Sequence, residues 1–424
     1  MHPRNVYAQE YVTRNNDGEA PTNWNDEHAR CLYTQKLLFR DFGVTCKVTV
    51  DRLCPALPSR LNYLHWIEDI LEAACPRAST DNIVTTTPLP VCGLDIGTGY
   101  LAIYAILACV MHRDWRMIGT DIDASALGHA QHVLDDPANE ALDLSRRVRL
   151  LHTRQDTLIP ASDTNDVSFI MCNPPFYASK QERDALRQAK VEYYHPCSAH
   201  DTELYTAGGE LEFVQRLIHE STLDQHRERI PWYTSMLGRH SSVLAVVQTL
   251  KQYQITNYAL TELIQGRTRR WAIAWSFLAH RLPDNIARNV GPSLTACKPP
   301  SCTRTWNMRY SNEDELYNQL CHLDTLPNDA VEWHTNPLAL VVWAPCWTRS
   351  ARRARSRGES YTRRASTPLI CVRWDVVNNT CVHVHWTFGE DRTVFDSLCA
   401  HLQGQLRVQK ASQRLSNATV RLEC

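Results

Sequence analysis

Val91-Cys92-Gly93-Leu94-Asp95-Ile96-Gly97-Thr98-Gly99, followed by Leu101 to Met111 and then by Arg116 to Thr120, is the stretch that decides the fold. A short apolar run ends in glycines, enters a helical segment without polar faces, and is succeeded by a second short apolar run. That alternation predicts a strand, a buried helix and a second strand of a parallel α/β sheet. Working outward, Val148 to His152 and Val167 to Cys172 supply two more strands. Glu210 to Ser221 carries Leu211, Val214, Leu217 and Ile218 at helical spacing. Trp232 to Leu237 then reads as a strand, Ser242 to Gln252 as a helix, and Asn257 to Ile264 with Trp271 to Leu278 as strands. The expected class is α/β, a Rossmann-like doubly wound sheet that ends in antiparallel strands.

On the N-terminal side, Asp26 to Phe42, stopping at Gly43, and Leu61 to Ala73, with Leu64, Ile67 and Leu71 on one stripe, predict two short helices. On the C-terminal side, Pro283 to Pro300 reads as a Pro-rich flexible linker. Beyond it, a helix over Glu313 to Leu320, strands at Val331 to His334, Leu338 to Trp343 and Cys371 to Val376, alternation at Val382, Val384, Trp386 and Phe388, and a closing helix over Val394 to Val408 predict a small α+β domain. The expected organisation is a helical module over 1–85, a Rossmann-like domain over 86–282, a linker over 283–300 and an α+β domain over 301–424.

At 424 residues the chain has room for two or three domains, and 43% hydrophobic with 21% charged residues excludes a disordered or collagen-like protein. Its 45 Lys plus Arg against 46 Asp plus Glu argue against a generally basic nucleic-acid binder. Tyr100 to Met111 is the longest apolar run, well short of the roughly 20 residues that span a bilayer, so a soluble intracellular protein is expected. The 16 Cys are scattered, and Cys297 and Cys302 have no second pair at zinc spacing, so reduced thiols and no metal site are expected.

The chemistry begins at Asp95, Gly97, Thr98 and Gly99. Glycines between a strand end and a helix start let backbone N–H groups approach a ligand, as in nucleotide-binding loops generally. Asp121, at the end of the next strand, can accept hydrogen bonds from ribose hydroxyls; Asp123 is the alternative, or a cap for the following helix. What narrows the cofactor is Asn173-Pro174-Pro175-Phe176, directly after the strand ending in Cys172. An exocyclic amine is a poor nucleophile because its lone pair is delocalised. The Asn173 side-chain oxygen and the Pro174 carbonyl could accept both amine hydrogens and aim that lone pair at an electrophilic methyl, while Phe176 offers a stacking face worth roughly 1–3 kcal/mol to a base. Loop and tetrad together indicate an S-adenosylmethionine-dependent amino methyltransferase without a metal, in which positioning supplies much of the rate.

The sequence also resembles the methyltransferase-like protein 16 family, adenine-N6 RNA methyltransferases of U6 snRNA that are related to a bacterial 23S ribosomal RNA enzyme. The resemblance is carried by Asp41-Phe42-Gly43, Arg60 to Asp69, Asp95 to Gly99, Cys172 to Phe176, Gly208-Gly209-Glu210 with Phe213, Trp232-Tyr233 with Met236-Leu237-Gly238, and Gly266-Arg267-Thr268 with Arg270-Trp271-Ala272. It implies that Arg60 pairs with the cofactor carboxylate, where the residue pattern alone suggests an exposed helix start. It implies that Gly97 and Gly99 line the methionine portion, that Asp121 holds the ribose and that Thr157 lies beside the cofactor. Asn173, Pro174 and Phe176 would receive the target adenine, in the ACAGA box of U6, and Arg267 and Arg270 would contact RNA. Asp156 stands where relatives often carry Lys. Arg183, Arg187 and Lys190, in the segment matching the family's substrate loop, are either phosphate contacts or a solvated helical face.

The third domain resembles the family's vertebrate-conserved-region module, a kinase-associated-type fold that binds the U6 stem. Between its strands, Arg349 to Arg364 holds seven Arg (Arg349, Arg352, Arg353, Arg355, Arg357, Arg363 and Arg364) against Glu359, and without this segment the net charge of -1 becomes -7. Such a cluster suits an RNA tether, or a disordered basic loop serving nuclear import. The resemblance thus implies RNA, most specifically U6 snRNA, as partner, a nuclear protein that is also compatible with the cytoplasm, and a monomer or weak dimer. The alternatives left open are the same chemistry on ribosomal RNA, an RNA-binding or splicing role independent of turnover, and methylation of a protein glutamine amide.

Overall fold

The protein is described from a computed structural model, which covers residues 26–74, 90–160, 166–189, 200–227, 229–265, 268–358 and 367–420. The chain divides into two compact units: Met1–Glu72 with Thr85–Phe277 and Asn285–Pro299, and Ala73–Val84 with Leu278–Asp284 and Pro300–Cys424.

The first unit is organised by an eight-stranded sheet of β1 (Cys92–Ile96), β2 (Arg116–Asp121), β3 (Val148–His152), β4 (Phe169–Cys172), β5 (Trp232–Leu237), β6 (Tyr258–Gln265), β7 (Thr268–Trp275) and β8 (Arg288–Asn289), in the order β3-β2-β1-β4-β5-β7-β6-β8. β1, β2, β3, β4 and β5 pair in parallel, and β7 is antiparallel to both β5 and β6. Because β1 runs between β2 and β4, the connections leaving β1 and β4 depart to opposite faces and open a crevice at their carboxyl ends.

Local chemistry fixes these elements. The helix after β2, Ala124–Leu134, starts where Asp123 accepts from the Ser125 and Ala126 amides, so the capping role anticipated for Asp123 is realised. Helix Leu57–Ala74 is buried almost all round, with Leu57, Leu61, Tyr63, Leu64, Ile67 and Ile70 inside. Its Tyr63 hydroxyl lies 2.6 Å from Thr234 Oγ1, which donates to the Ile170 carbonyl at 2.9 Å, and the Cys172 amide donates to Tyr63 at 3.4 Å. The β4–β5 ladder ends at Ile170 and Tyr233, so this side-chain chain continues the tie between the strands to the point where β4 delivers Asn173.

The second unit is a five-stranded antiparallel sheet of β9 (Thr303–Trp306), β10 (Val331–Thr335), β11 (Leu338–Val342), β12 (Ile370–Val377) and β13 (Cys381–Phe388), in the order β10-β11-β12-β13-β9. Helices Glu313–Leu320 and Arg392–Val420 contribute Leu316, Phe395, Leu398, Leu402 and Leu406 to a core with Trp306, Trp374 and Trp386. The alternation at Val382, Val384 and Trp386 points these side chains into that core, as its period of two requires.

Three expectations need correction. The flexible linker over 283–300 is folded: Arg288–Asn289 extends the first sheet alongside Leu260 and Thr261, and Leu294 and Cys297 are buried in its core. Pro292 starts a 3-10 turn there rather than breaking structure, while Leu278–Asp284 goes with the second unit, so the boundary at 282 does not hold. Nor is the helical segment a separate module ending at 85, because the apolar faces of Leu57–Ala74 are satisfied within the first unit. The third concerns the basic segment: Arg349–Ser356 is a helix capped by Thr348, whose hydroxyl accepts from the Ala351 amide. Glu359, Arg363 and Arg364 lie outside the described residues.

Candidate active site

The crevice at the carboxyl ends of β1 and β4 is a cleft of about 1250 Å3 including its open mouth. Ile96 to Leu101 form one wall and Asn173 to Phe176 another, and Arg60, Tyr104, Asp121, Thr157, Glu203 and Phe213 are among the residues that line the rest. Nearly every residue singled out for cofactor or base in the sequence therefore converges on one cavity.

The glycine wall is built for close approach. Gly97 and Gly99 have φ of +71° and +72°, a conformation side chains disfavour, and a Cβ at either would project into open space, where a ligand would pass. Asp121 fixes the turn: its Oδ2 accepts from the Gly99 amide and its Oδ1 from the Asp123 amide, both at 2.9 Å. Burial pushes its carboxyl up, opposed by these backbone hydrogen bonds. Asp95 is fully buried; Oδ2 accepts from Thr98 Oγ1 at 2.7 Å, and Oδ1 has no partner among the described residues. Burial pushes its pKa up to about 7, against the Thr98 hydrogen bond and the charge of Arg60. Asp95 is thus a support beneath the loop rather than a lining group.

Arg60 is not the exposed helix start its position suggested. It is 8% exposed, donates from Nη1 to the Tyr104 hydroxyl at 2.9 Å, and has a buried Nε without a hydrogen-bond partner among the described residues. With the Asn173 amide oriented so that its oxygen faces the guanidinium, Oδ1 accepts from Nη1 at 2.8 Å and Nη2 at 3.0 Å. A buried cation with a spare donor edge, an open glycine cradle and an acid at the tip of β2 fit the carboxylate, the methionine portion and the ribose of S-adenosylmethionine, respectively.

The tetrad is held from outside by residues whose part in supporting it no local sequence pattern shows. Glu210, 2% exposed, accepts from the Gly238 amide at 2.7 Å and the Arg239 amide at 3.0 Å. Arg239 in turn donates to the Phe176 carbonyl at 2.9 Å and to Glu182 at 2.5 Å, and Glu182 accepts from the Ala178 amide at 2.6 Å. Gly209 permits this closeness, since a Cβ there would meet the backbone of Tyr177 and Ala178 at 3.2–3.4 Å. An acid in the first turn of a helix reads from sequence as a dipole partner; its burial under the Phe176 loop has no local signature.

Thr157 lines the cleft from an exposed loop whose Leu158 and Ile159 amides donate to Glu220 Oε2 at 2.9 and 3.0 Å. Arg270 is half-buried with its guanidinium over the Phe176 ring, 5.6 Å from the centroid; burial pulls its pKa down, with Glu210 opposing. Arg183 pairs with Asp184 and lies over Tyr205. Arg267 and Lys190 lie outside the described residues, as does the side chain of Arg187. In the second unit, Arg349, Arg352, Arg353, Arg355 and Arg357 are all exposed; the first three line a shallow depression with Ser356, and Arg355 donates to the Asp324 carbonyl at 2.6 Å.

Comparison with known proteins accords with this geometry. A family model described as an RNA methyltransferase matches residues 4–279. A Schizosaccharomyces pombe protein named U6 small nuclear RNA (adenine-(43)-N(6))-methyltransferase is 30% identical over 393 residues, covering 91% of this chain and 95% of its own. The Homo sapiens RNA N(6)-adenosine-methyltransferase METTL16 is 33% identical over 300 residues, and the aligned part is 65% of this chain and 50% of that protein. Among solved structures, the hMettl16 catalytic domain in complex with MAT2A 3'UTR hairpin 1 is similar at a TM-score of 0.53 and 31% identity, over 65% of this chain and 95% of that one.

Proposed function

The chain belongs to the RNA methyltransferase family whose model it matches, and from that premise we propose that it transfers the methyl group of S-adenosylmethionine to the N6 amine of an adenine in U6 snRNA, within the ACAGA box. The relative that aligns along nearly its whole length carries the U6 adenine-N6 name, and the aligned part includes the second unit as well as the first. The observation that carries the chemistry is the convergence of the Asn173 tetrad and the Gly97 to Gly99 cradle on one cleft.

When bound, S-adenosylmethionine supplies an electrophilic methyl group. Every other requirement falls on the chain's own residues. Arg60 offers a guanidinium to a carboxylate, Asp121 a carboxylate to hydroxyls, and the glycine turn its backbone. Asn173 and Pro174 accept the amine hydrogens, which turns the nitrogen lone pair toward the donor, and Phe176 stacks the base. Holding the partners in line contributes most of the rate, and the amine proton is lost as or after the nitrogen becomes cationic, so no strong base is required in advance. The exposed arginines of Arg349–Ser356 and Arg357 hold RNA phosphate, and a nuclear site of action follows from the substrate.

The test is transfer of labelled methyl to a U6 hairpin, a ribosomal RNA fragment and a protein extract. Label in the U6 hairpin at adenine N6 is expected. Label confined to protein overturns the proposal, and label confined to ribosomal RNA moves the substrate.

A further inference from the structure

Helix Arg349–Ser356 carries charge that it does not itself balance. Arg349, Arg352, Arg353 and Ser356 fall on one face of a helix with roughly 3.6 residues per turn, and the four do line one shallow depression. Like charges three or four residues apart on a helix repel, and Arg349 stands in that relation to both Arg352 and Arg353. All three guanidiniums belong to exposed residues, and none has an ion-pair partner among the described residues. This face therefore calls for an anion.

The same face holds a hydroxyl on which an anion can be built. Ser356 is exposed at the last position of the helix, and its Oγ donates to the Arg353 carbonyl at 2.8 Å, so the oxygen keeps its lone pairs free. The neighbouring hydroxyls are placed otherwise. Thr348 is used by the cap, where it accepts from the Ala351 amide at 3.3 Å, and Ser350 sits 3.2 Å from Thr348 Oγ1, off the arginine face. Arg353 and Arg352 precede Ser356 by one helical turn, within reach of a group on its oxygen. An exposed serine with arginine three residues before it is also the pattern that arginine-directed serine kinases select.

We propose that Ser356 is a phosphorylation site and that its phosphate, held by Arg352 and Arg353, takes those arginines out of RNA binding. The proposal rests on the RNA-binding role proposed above for this helix. The γ-phosphoryl group of ATP passes to Ser356 Oγ, the bond to the β-phosphate oxygen breaks, ADP leaves and the hydroxyl proton is released. The new group brings about −1.5 to −2 charges and three acceptor oxygens to the arginines. The helix dipole opposes a phosphate at this end, but it amounts to about half a charge, whereas each guanidinium is a full charge that donates charge-assisted hydrogen bonds. The phosphate thus relieves the repulsion among the arginines and repels the RNA backbone at the same point.

Ser366 also has an arginine three residues before it, Arg363, so the experiment uses the full chain carrying Ser366→Ala, and the same chain with Ser356→Ala added. Each is treated with ATP and a serine kinase selective for arginine three residues before its target. Phosphate is mapped by mass spectrometry, and affinity for a U6 hairpin is measured over a range of salt before and after treatment. The Ser366→Ala chain is expected to take phosphate at Ser356, to lose roughly tenfold in affinity near physiological salt, and to lose up to about 1.8 from the slope of log affinity against log salt, about 0.9 for each arginine withdrawn. The chain that also lacks Ser356 is expected to keep its affinity and slope through the treatment. Phosphoserine inserted at this position during translation gives the modified protein without a kinase and is expected to show the same loss. Failure of the kinase to modify Ser356 overturns the site. Phosphate on Ser356, by either route, with an unchanged salt slope overturns its effect on RNA, as does an equal loss in the chain without Ser356. Methyl transfer to the hairpin at saturating RNA is read in parallel and is expected to survive phosphorylation. An unmodified chain that neither binds nor methylates the hairpin overturns the underlying function and the inference with it, whereas normal binding and transfer that phosphate on Ser356 leaves untouched overturn the inference alone.

Discussion

In the first unit Arg60, Glu68, Asp69, Asp95 and Glu210 are all buried, whereas in the second Arg281 is the one buried Asp, Glu, Lys or Arg among the described residues and the arginines of Arg349–Ser356 face solvent. A buried charge is expensive, so each is bound to particular partners: Glu210 to two amides, Glu68 to His65 and His112 at 2.8 and 2.7 Å, and Asp95 to Thr98. An exposed charge costs little to place and acts through its number. The first unit should therefore respond to substitution steeply and site by site, and the second in graded, roughly additive steps.

The steepest response belongs to Asn173→Ala. Removing an oriented polar group at a reacting atom typically costs 100- to 1000-fold in turnover, so transfer to a U6 hairpin should fall by about that factor with RNA affinity near wild type. Equal loss of transfer and affinity would break the contrast, because the tetrad would then be a structural turn. Next is Glu210→Gln. Its single oxygen can serve one of the two amides at Gly238 and Arg239, and the side-chain NH2 is turned against the other, at a cost of about 1–3 kcal/mol in the denaturant midpoint. A variant as stable as wild type would show that strand pairing alone holds this turn under Phe176.

The graded side of the comparison is tested by replacing Arg349, Arg352, Arg353 and Arg355 by Ala. Surface changes of this kind usually stay within about 0.5 kcal/mol of neutral, so stability should hold. Affinity for U6 RNA should drop, and the slope of log affinity against log salt should shrink by at most about 0.9 for each phosphate that is no longer neutralised. Transfer at saturating RNA should survive. An unchanged salt slope would remove the tether role from this helix.

The same contrast explains what was legible in the sequence. The strand runs, the alternation at Val382, Val384, Trp386 and Phe388, and the tetrad and glycine loop could be placed because each is local: a few neighbouring residues whose spacing carries the meaning. Arg60 was visible as a functional residue only through the family resemblance, since a helix-start arginine looks exposed until Tyr104, 44 residues away, and Asn173, farther still, fold around it. Glu210, Arg239 and Tyr63 act across separations of 28 to 171 residues, which no local pattern encodes. Pro283 to Pro300 misled for the converse reason. Its composition is that of a linker, yet Leu294 and Cys297 are apolar enough to cover the first sheet's core.

A pH slope separates two acids within the first unit. Burial raises the Asp95 carboxyl to about 7, above the ordinary Asp value near 3.9, so between about pH 4 and 7 the folded chain holds a proton that the unfolded chain has lost. Stability from this group is therefore greatest below that window and declines as pH rises through it. Glu68 has the opposite sign. Burial pushes it up, but hydrogen bonds from His112 and His65 outweigh burial and hold it at about 2, so its contribution is complete above the ordinary Glu value and disappears as pH falls toward 2. From pH 5 to 7 Glu68 is constant while Asp95 is not. Asp95→Asn cannot ionise, so urea midpoints of wild type and variant should differ by an amount that changes steadily from pH 5 to 7 and then levels off. Parallel midpoints across that range would mean that Asp95 is ionised in the folded protein, with the nearby Arg60 charge compensating it more fully than its burial opposes.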